Sequence, residues 1–173
     1  MRSQVLHVSQ GEQAISDCPD TMITTVLGSC VATCLWDPDS ALGGMNHILL
    51  PDNCGSDLHS RSHGTNAMEL LINALLRRGA DRRRLRAKLF GGARMIEGLS
   101  DIGQANARFA KEFCHRENIP CIASSLGGIV GRRIQFWPAT GKARQMLLRT
   151  LPDDAKPVCR PAPYGEQNGV ELF

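Results

Sequence analysis

The stretch "VLGSCVATCLWDPDSALGGMNHILLP", Val26 to Pro51, carries Cys30, Cys34 and His47 inside two otherwise apolar runs. A thiol beside an imidazole is the minimal activated nucleophile. The imidazole takes the thiol proton, and the ion pair lowers the cysteine pKa so that thiolate exists near neutral pH. Gly28 and Ser29 come immediately before Cys30 and suggest a tight turn. Backbone N–H groups there, near Ser29 and Cys30, would point at a developing oxyanion. A third group must orient the imidazole, and Thr24, Thr25, Thr33 and Asn46 are the polar side chains nearby. Cys34, between Thr33 and Leu35 with no Gly-Ser turn before it, reads as core.

These residues need an element that brings them together. "CVATCLW" and "GMNHILLP" are strand-like runs around "DPDSALG", where Pro38, Asp39 and Ser40 favour a turn. A turn centred between Pro38 and Asp39 makes Cys30 and His47 cross-strand neighbours, with Cβ atoms about 5 Å apart. A slip of one residue would undo this pairing.

The remaining elements follow from periodicity and punctuation. "SQVLHVS" and "DTMITTVLG" read as short strands separated by turn residues around Gly11 and Asp17. "TNAMELLINALLRRG" has Ala67, Leu70, Leu71, Ala74 and Leu75 at helical spacing, with Asn66 and Glu69 as a capping box and Gly79 as the stop. "AKLFGGARM" is a strand ending in two glycines. "SDIGQANARFAKEFCHREN" is a second helix opened by Ser100 or Asp101, with Ile102, Ala105, Phe109 and Phe113 along one face. "IPCIASSLGG" reads as another buried strand, and "RRIQFW" and "ARQMLL" flank "PATGK" as a hairpin turning at Gly141. Two helices among strands joined mostly by hairpins predict an α/β domain with mixed, largely antiparallel sheets over residues 1–150. Four prolines then mark residues 151–173 as a proline-rich C-terminal tail.

Composition narrows the function. The chain of 173 residues is 42% hydrophobic and 21% charged, ordinary values for a single globular domain. Its start carries no apolar segment of the secretory kind and no apolar run reaches membrane-spanning length, so a cytoplasmic protein with no membrane insertion is expected. Seven cysteines without an export signal read as reduced thiols. A net charge of +3 and the absence of interleaved aromatics argue against nucleic acid. The basic run "RRGADRRRLRAK", Arg77 to Lys88, reads first as a solvated helix end and second as a docking patch for an acidic surface. Cys54, His59 and His63 have a spacing that metal sites use, but four well-spaced ligands are not present and no metal or organic cofactor is expected. "LFGGAR" and "LGGIVGRR" match neither nucleotide-binding spacing, so their glycines are assigned to tight turns and close backbone approach around a site.

Taken in order, "TTVLGSCVATCLWDPDSALGGMNHILLP", "GTNAMELLINALLRRGA", "LRAKLFGGARM", "IGQANARFAKEF" and "GGIVGRRIQFWPATG" resemble the chemoreceptor glutamine deamidase family, CheD, from about Gln4 to about Leu148. The resemblance implies a layered α/β/β/α cysteine-hydrolase fold and a protein-glutamine glutaminase that converts glutamines of methyl-accepting chemotaxis receptors to glutamate. It implies Cys30 as nucleophile, His47 as general base and acid, and Thr24 as the residue that orients the histidine. It further implies receptor partners and, in some members, a CheC-like phosphatase. His63, where relatives often carry an aromatic residue after an arginine, and Ser125, where they often carry an acid, depart from the pattern. Intact Thr24, Cys30 and His47 favour an enzyme over a non-catalytic adaptor of the same fold.

Overall fold

A computed structural model of the chain describes residues 4–50, 57–95 and 102–148, without the side chains of residues 57–60. The strands are β1 (Gln4–His7), β2 (Gln13–Ser16), β3 (Thr21–Leu27), β4 (Val31–Asp37), β5 (Leu42–Ile48), β6 (Arg86–Gly91), β7 (Cys121–Leu126), β8 (Gly131–Trp137) and β9 (Lys142–Leu148). The helices are α1 (Asp57–Arg77) and α2 (Ile102–Arg116). A four-stranded sheet has the order β1-β3-β8-β9, and a five-stranded sheet the order β2-β5-β4-β6-β7. Only the β1–β3 and β6–β7 pairs are parallel.

One apolar core, including Ile23, Leu27, Cys34, Met45, Ile134 and Phe136, fills the space between the sheets. A second, including Leu35, Ile48, Leu71, Leu75, Phe109 and Phe113, lies between the five-stranded sheet and both helices. β4 and β5 therefore belong to a middle layer and are buried at every position. That is why their sequences read as nearly unbroken apolar runs rather than alternating ones. Among the described residues the layers are α/β/β. Both helices cover the five-stranded sheet, so the second outer helical layer that the resemblance implied is not among them.

Several local expectations change. α1 begins at Asp57, so Asn66 is an exposed interior residue and not a cap. The helix thus starts eight residues before the expected Thr65, and Gly64 lies inside it. A Cβ there would come within 2.6 Å of Leu50 and 2.7 Å of the Phe109 ring, so glycine lets α1 lie close to both side chains. On α2, Ala105 is exposed and Asn106 takes its place on the buried face. β2 falls in a region read only as turns. β7 is an edge strand, exposed from Cys121 to Ser124, rather than a buried one. The tail, residues 151–173, lies outside the described residues.

The central hairpin forms with its register moved by two residues. Asp37 accepts a bond from the Asp39 N–H at 3.1 Å and Ala41 closes the turn with a φ of 49°, so the turn is centred between Asp39 and Ser40, one residue later than expected. β4 and β5 then pair Ala32 with His47 and Val31 with Ile48. Cys30 is thus not directly opposite His47 but lies just before the ladder, diagonal to it. A shift of two leaves both residues on the same face of the sheet.

Candidate active site

Gly28, Ser29 and Cys30 carry the chain from β3 in one sheet to β4 in the other. Each of their carbonyls is held. Gly28 O accepts from Ala93 N–H at 2.9 Å and Cys30 O from Gly92 N–H at 2.7 Å. Ser29 O accepts from Asn106 Nδ2 at 2.9 Å. No peptide bond among the described residues is cis, and in a trans peptide the N–H points opposite to the carbonyl. The N–H groups of Ser29 and Cys30 are therefore directed away from Ala93 and Asn106, and neither has a backbone acceptor among the described residues. The glycine pair "LFGG" gives the close approach expected of it. Gly91 has a φ of 115°, and a Cβ there would stand 2.1 Å from Cys30 O.

Asn106 is the site residue that the sequence reading missed. Its side chain is 1% exposed. Its Oδ1 accepts from Leu50 N–H at 2.8 Å while its Nδ2 holds Ser29 O. One buried amide thus ties the Cys30 turn to the chain leaving β5, the strand that carries His47. Gly103 lets α2 come close enough, since a Cβ there would lie 2.4 Å from Ala93 O. The available signal was an asparagine on an apolar helical stripe, since a buried amide needs partners.

His47 is buried, and its Nδ1 lies 2.8 Å from Thr25 Oγ1. The same hydroxyl donates to Val8 O at 2.7 Å. A hydroxyl has one proton, and a carbonyl can only accept, so that proton belongs to Val8 O. Thr25 must then accept from Nδ1–H, which leaves the lone pair on Nε2. Nε2 is buried without a partner among the described residues. Thr25, not Thr24, therefore meets the imidazole in the structure. Thr24 and Thr25 alternate across β3, and the Thr24 hydroxyl donates instead to Ile134 O at 2.7 Å. Thr33 and Asn46 are paired on the other face of the hairpin, where Asn46 Nδ2 reaches Ala67 O and Met68 Sδ on α1.

The electrostatics differ from the expected ion pair. Burial holds His47 below its ordinary pKa, outweighing the Val8 carbonyl and the charge of Glu12, which act in the other direction. Burial pushes the Cys30 thiol up to about 12, against a smaller opposite effect of its own backbone N–H. Both shifts favour a neutral thiol and a neutral imidazole. The arrangement can take a proton at Nε2 and offers two N–H groups to an anion.

Other expected features have structural roles. Cys34 is fully buried opposite Met45, and burial raises its thiol pKa strongly. Cys54 and the His59 side chain lie outside the described residues, and His63 is exposed on α1. No cluster of three or more metal-binding side chains occurs among the described residues. The basic run is largely neutralised internally. Arg84 pairs with the fully buried Asp37, Arg82 with Glu117 and Arg83 with Asp81. Arg84 and the N–H groups of Asp81 and Asp39 hold the Asp37 carboxyl well below the usual range. This favours the structural reading over the docking patch. No helix among the described residues is long and apolar enough to cross a membrane.

The family model described as "CheD chemotactic sensory transduction" matches residues 49–146, which begin just after His47. Full-length similarity extends over the whole site. A Caulobacter vibrioides protein named "Probable chemoreceptor glutamine deamidase CheD" is 48% identical over 99% of this chain and 95% of its own. Proteins of the same name from Agrobacterium fabrum, 48% identical over 97% of this chain and 96% of theirs, and Cereibacter sphaeroides, 51% identical over 83% and 72%, are also similar. In three dimensions the chain resembles a Neisseria meningitidis protein of the DUF152 family, with a TM-score of 0.50 and 11% identity over 73% of this chain and 65% of that one. That likeness concerns the fold alone. By its sequence over nearly its full length, the chain belongs to the CheD family.

Proposed function

We propose that the protein is a cytoplasmic glutamine deamidase of methyl-accepting chemotaxis receptors, with Cys30 as nucleophile, His47 as base and acid, and Thr25 in the orienting role that the resemblance gave to Thr24. The observation that carries the reading is the buried imidazole whose Nε2 lone pair is left free by the Thr25–Val8 relay, on the same sheet face as Cys30.

Because thiol and imidazole are both neutral at rest, proton transfer accompanies attack. Nε2 takes the thiol proton as sulfur bonds to the glutamine δ-carbon. The amide oxygen becomes an oxyanion, met by the N–H groups of Ser29 and Cys30, with each donor worth about 3 kcal/mol in sites of this kind. Imidazolium then protonates the amide nitrogen, the C–N bond breaks, and ammonia leaves a thioester. His47 next removes a proton from water, which attacks the thioester. Glutamate departs and the thiol is restored. Each step uses side chains and backbone N–H groups of this chain together with substrate and water, and no metal or organic cofactor enters.

The test is product stoichiometry on a glutamine-bearing cytoplasmic fragment of a chemotaxis receptor. One ammonia released per glutamate formed, with the fragment uncut, is the expected result. Cleavage of the fragment would indicate a peptidase instead. Binding of the fragment, or of a CheC-like phosphatase, without ammonia would indicate an adaptor.

A further inference from the structure

Besides the β1–β2 crossover beside His47, two chain crossovers between the sheets stand at the Cys30 end of the molecule. One is the Gly28–Cys30 turn, from β3 to β4. The other, Gly127 to Val130, returns from β7 to β8. The chain from Gly91 to Arg94 lies between them, bonded to both. Gly127 N–H donates to Gly91 O at 2.9 Å and Arg94 N–H to Gly128 O at 2.8 Å, while Gly92 and Ala93 hold the Cys30 turn. β3 and β8 are adjacent strands, whereas β4 and β7 are separated by β6. At the usual strand spacing, the crossovers are about 5 Å apart over one sheet and about 10 Å apart over the other.

The second crossover is fixed from beneath. Arg132, 3% exposed, donates to Ser125 Oγ at 3.0 Å and to the carbonyls of Ser125 and Gly127. On this held loop Ile129 is 77% exposed. On the neighbouring strand β9, Met146 is 54% exposed on the face that carries Arg133, and Leu147 is 58% exposed on the opposite face. From β7 to β9 the charge has one sign. No Asp or Glu occurs from Asn118 to Leu148. Arg94 and Arg133 are exposed, Arg133 lies opposite Met146, and neither makes an ion pair among the described residues. Ordinary surfaces intersperse both signs and bury large apolar side chains.

We infer that the Gly127–Val130 loop, with Ile129, Met146, Arg94 and Arg133, is the docking surface for the substrate segment, and that it takes an acidic stretch with an apolar side chain within about 10 Å of the target glutamine. That distance is spanned by about three residues of extended chain or two turns of helix. The inference rests on the deamidase reading for the identity of the segment. Ile129 fills an apolar recess of the substrate, and the arginines meet its carboxylates. The glutamine amide is thereby delivered to Cys30. The surface selects among glutamines by their neighbours, which the small site around Cys30 cannot do alone.

Binding and turnover are measured separately. A glutamine-bearing, acidic receptor cytoplasmic fragment is titrated against the Cys30→Ala protein by fluorescence anisotropy. Ile129→Asp is expected to weaken binding at least about tenfold, the value of one buried branched aliphatic side chain. Arg133→Glu is expected to weaken it about threefold at low salt, with the difference shrinking at high salt. In the Cys30-containing protein, Ile129→Asp leaves iodoacetamide alkylation of Cys30 unchanged within about twofold and lowers kcat/KM for the fragment. Unchanged binding in Ile129→Asp overturns the inference. So does slowed alkylation of Cys30, because the loop would then shape the nucleophile. A change in self-association without a change in fragment binding would assign the surface to a second copy of the chain. Fragment binding that needs Ile129, in a protein that releases no ammonia, would overturn the deamidase reading and leave the docking surface standing.

Discussion

Cys30 and Cys34 lie one turn of sequence apart on the same hairpin and face the same inter-sheet core, yet their surroundings differ throughout. Cys34 sits inside the ladder, opposite Met45, sealed from solvent. Cys30 lies before the first rung, half-buried, in a turn whose carbonyls are all engaged. Burial raises the thiol pKa of both, so thiol acidity does not separate them. What separates them is the end of the sheet. There, backbone N–H groups are free of the ladder, a histidine with an open Nε2 shares the face, and solvent is near. Reactivity follows from where the strand stops.

The largest effects should break this comparison outright. Cys30→Ala is expected to abolish deamidation, while Cys34→Ala retains activity within about threefold and loses about 1 kcal/mol of stability, readable by denaturant unfolding. His47→Gln, which keeps bulk but has no titratable lone pair, should lower kcat by about 10²–10⁴-fold. The pH profile carries the sign. Because burial holds His47 below its ordinary value of 6.5, the base form persists below that pH and the acid limb of kcat/KM lies under it. The same shift makes its stability contribution complete above pH 6.5 and lost as pH falls from there toward the folded value.

Smaller effects sharpen it. Thr25→Val removes the acceptor that fixes the imidazole tautomer and should lower kcat about tenfold. Thr24→Val breaks only the bond to Ile134 O and should leave kcat within about twofold. The reverse ranking would return the orienting role to Thr24. Asn106→Leu leaves Ser29 O and Leu50 N–H without partners and should cost about 2 kcal/mol of stability. Alkylation of Cys30 followed against pH would then show whether the turn has moved as well.

Much of this was readable before the structure. The hairpin, the strand ending at Gly91 and the hairpin at Gly141 are local, set by turn residues and apolar runs close in sequence. Cys30, His47 and the Gly-Ser turn stood out for the same reason. What escaped reading depends on distant partners. The hairpin turn is flanked by Asp37, whose carboxylate is held by Arg84 and the Asp81 N–H, both far away in sequence. The choice of Thr25 over Thr24 depends on Val8, which the parallel β1–β3 pairing brings beside it. Asn106 joins residues from two other elements, and its role is visible only once α2 is placed. The first turns of α1 were missed, where Gly64 lies against Leu50 and Phe109. The exposure of β7 follows from its position at a sheet edge, which no property of its own sequence signals.

The most direct test of the central claim is the intact mass of a glutamine-bearing receptor fragment after incubation with the wild-type, Cys30→Ala and Cys34→Ala proteins. A gain of about 1 Da per modified site with wild type and Cys34→Ala, and none with Cys30→Ala, is the expected result of thiol-dependent amide-to-acid exchange. Deamidation that survives in folded Cys30→Ala, or disappears in folded Cys34→Ala, would contradict the assignment of Cys30 as nucleophile.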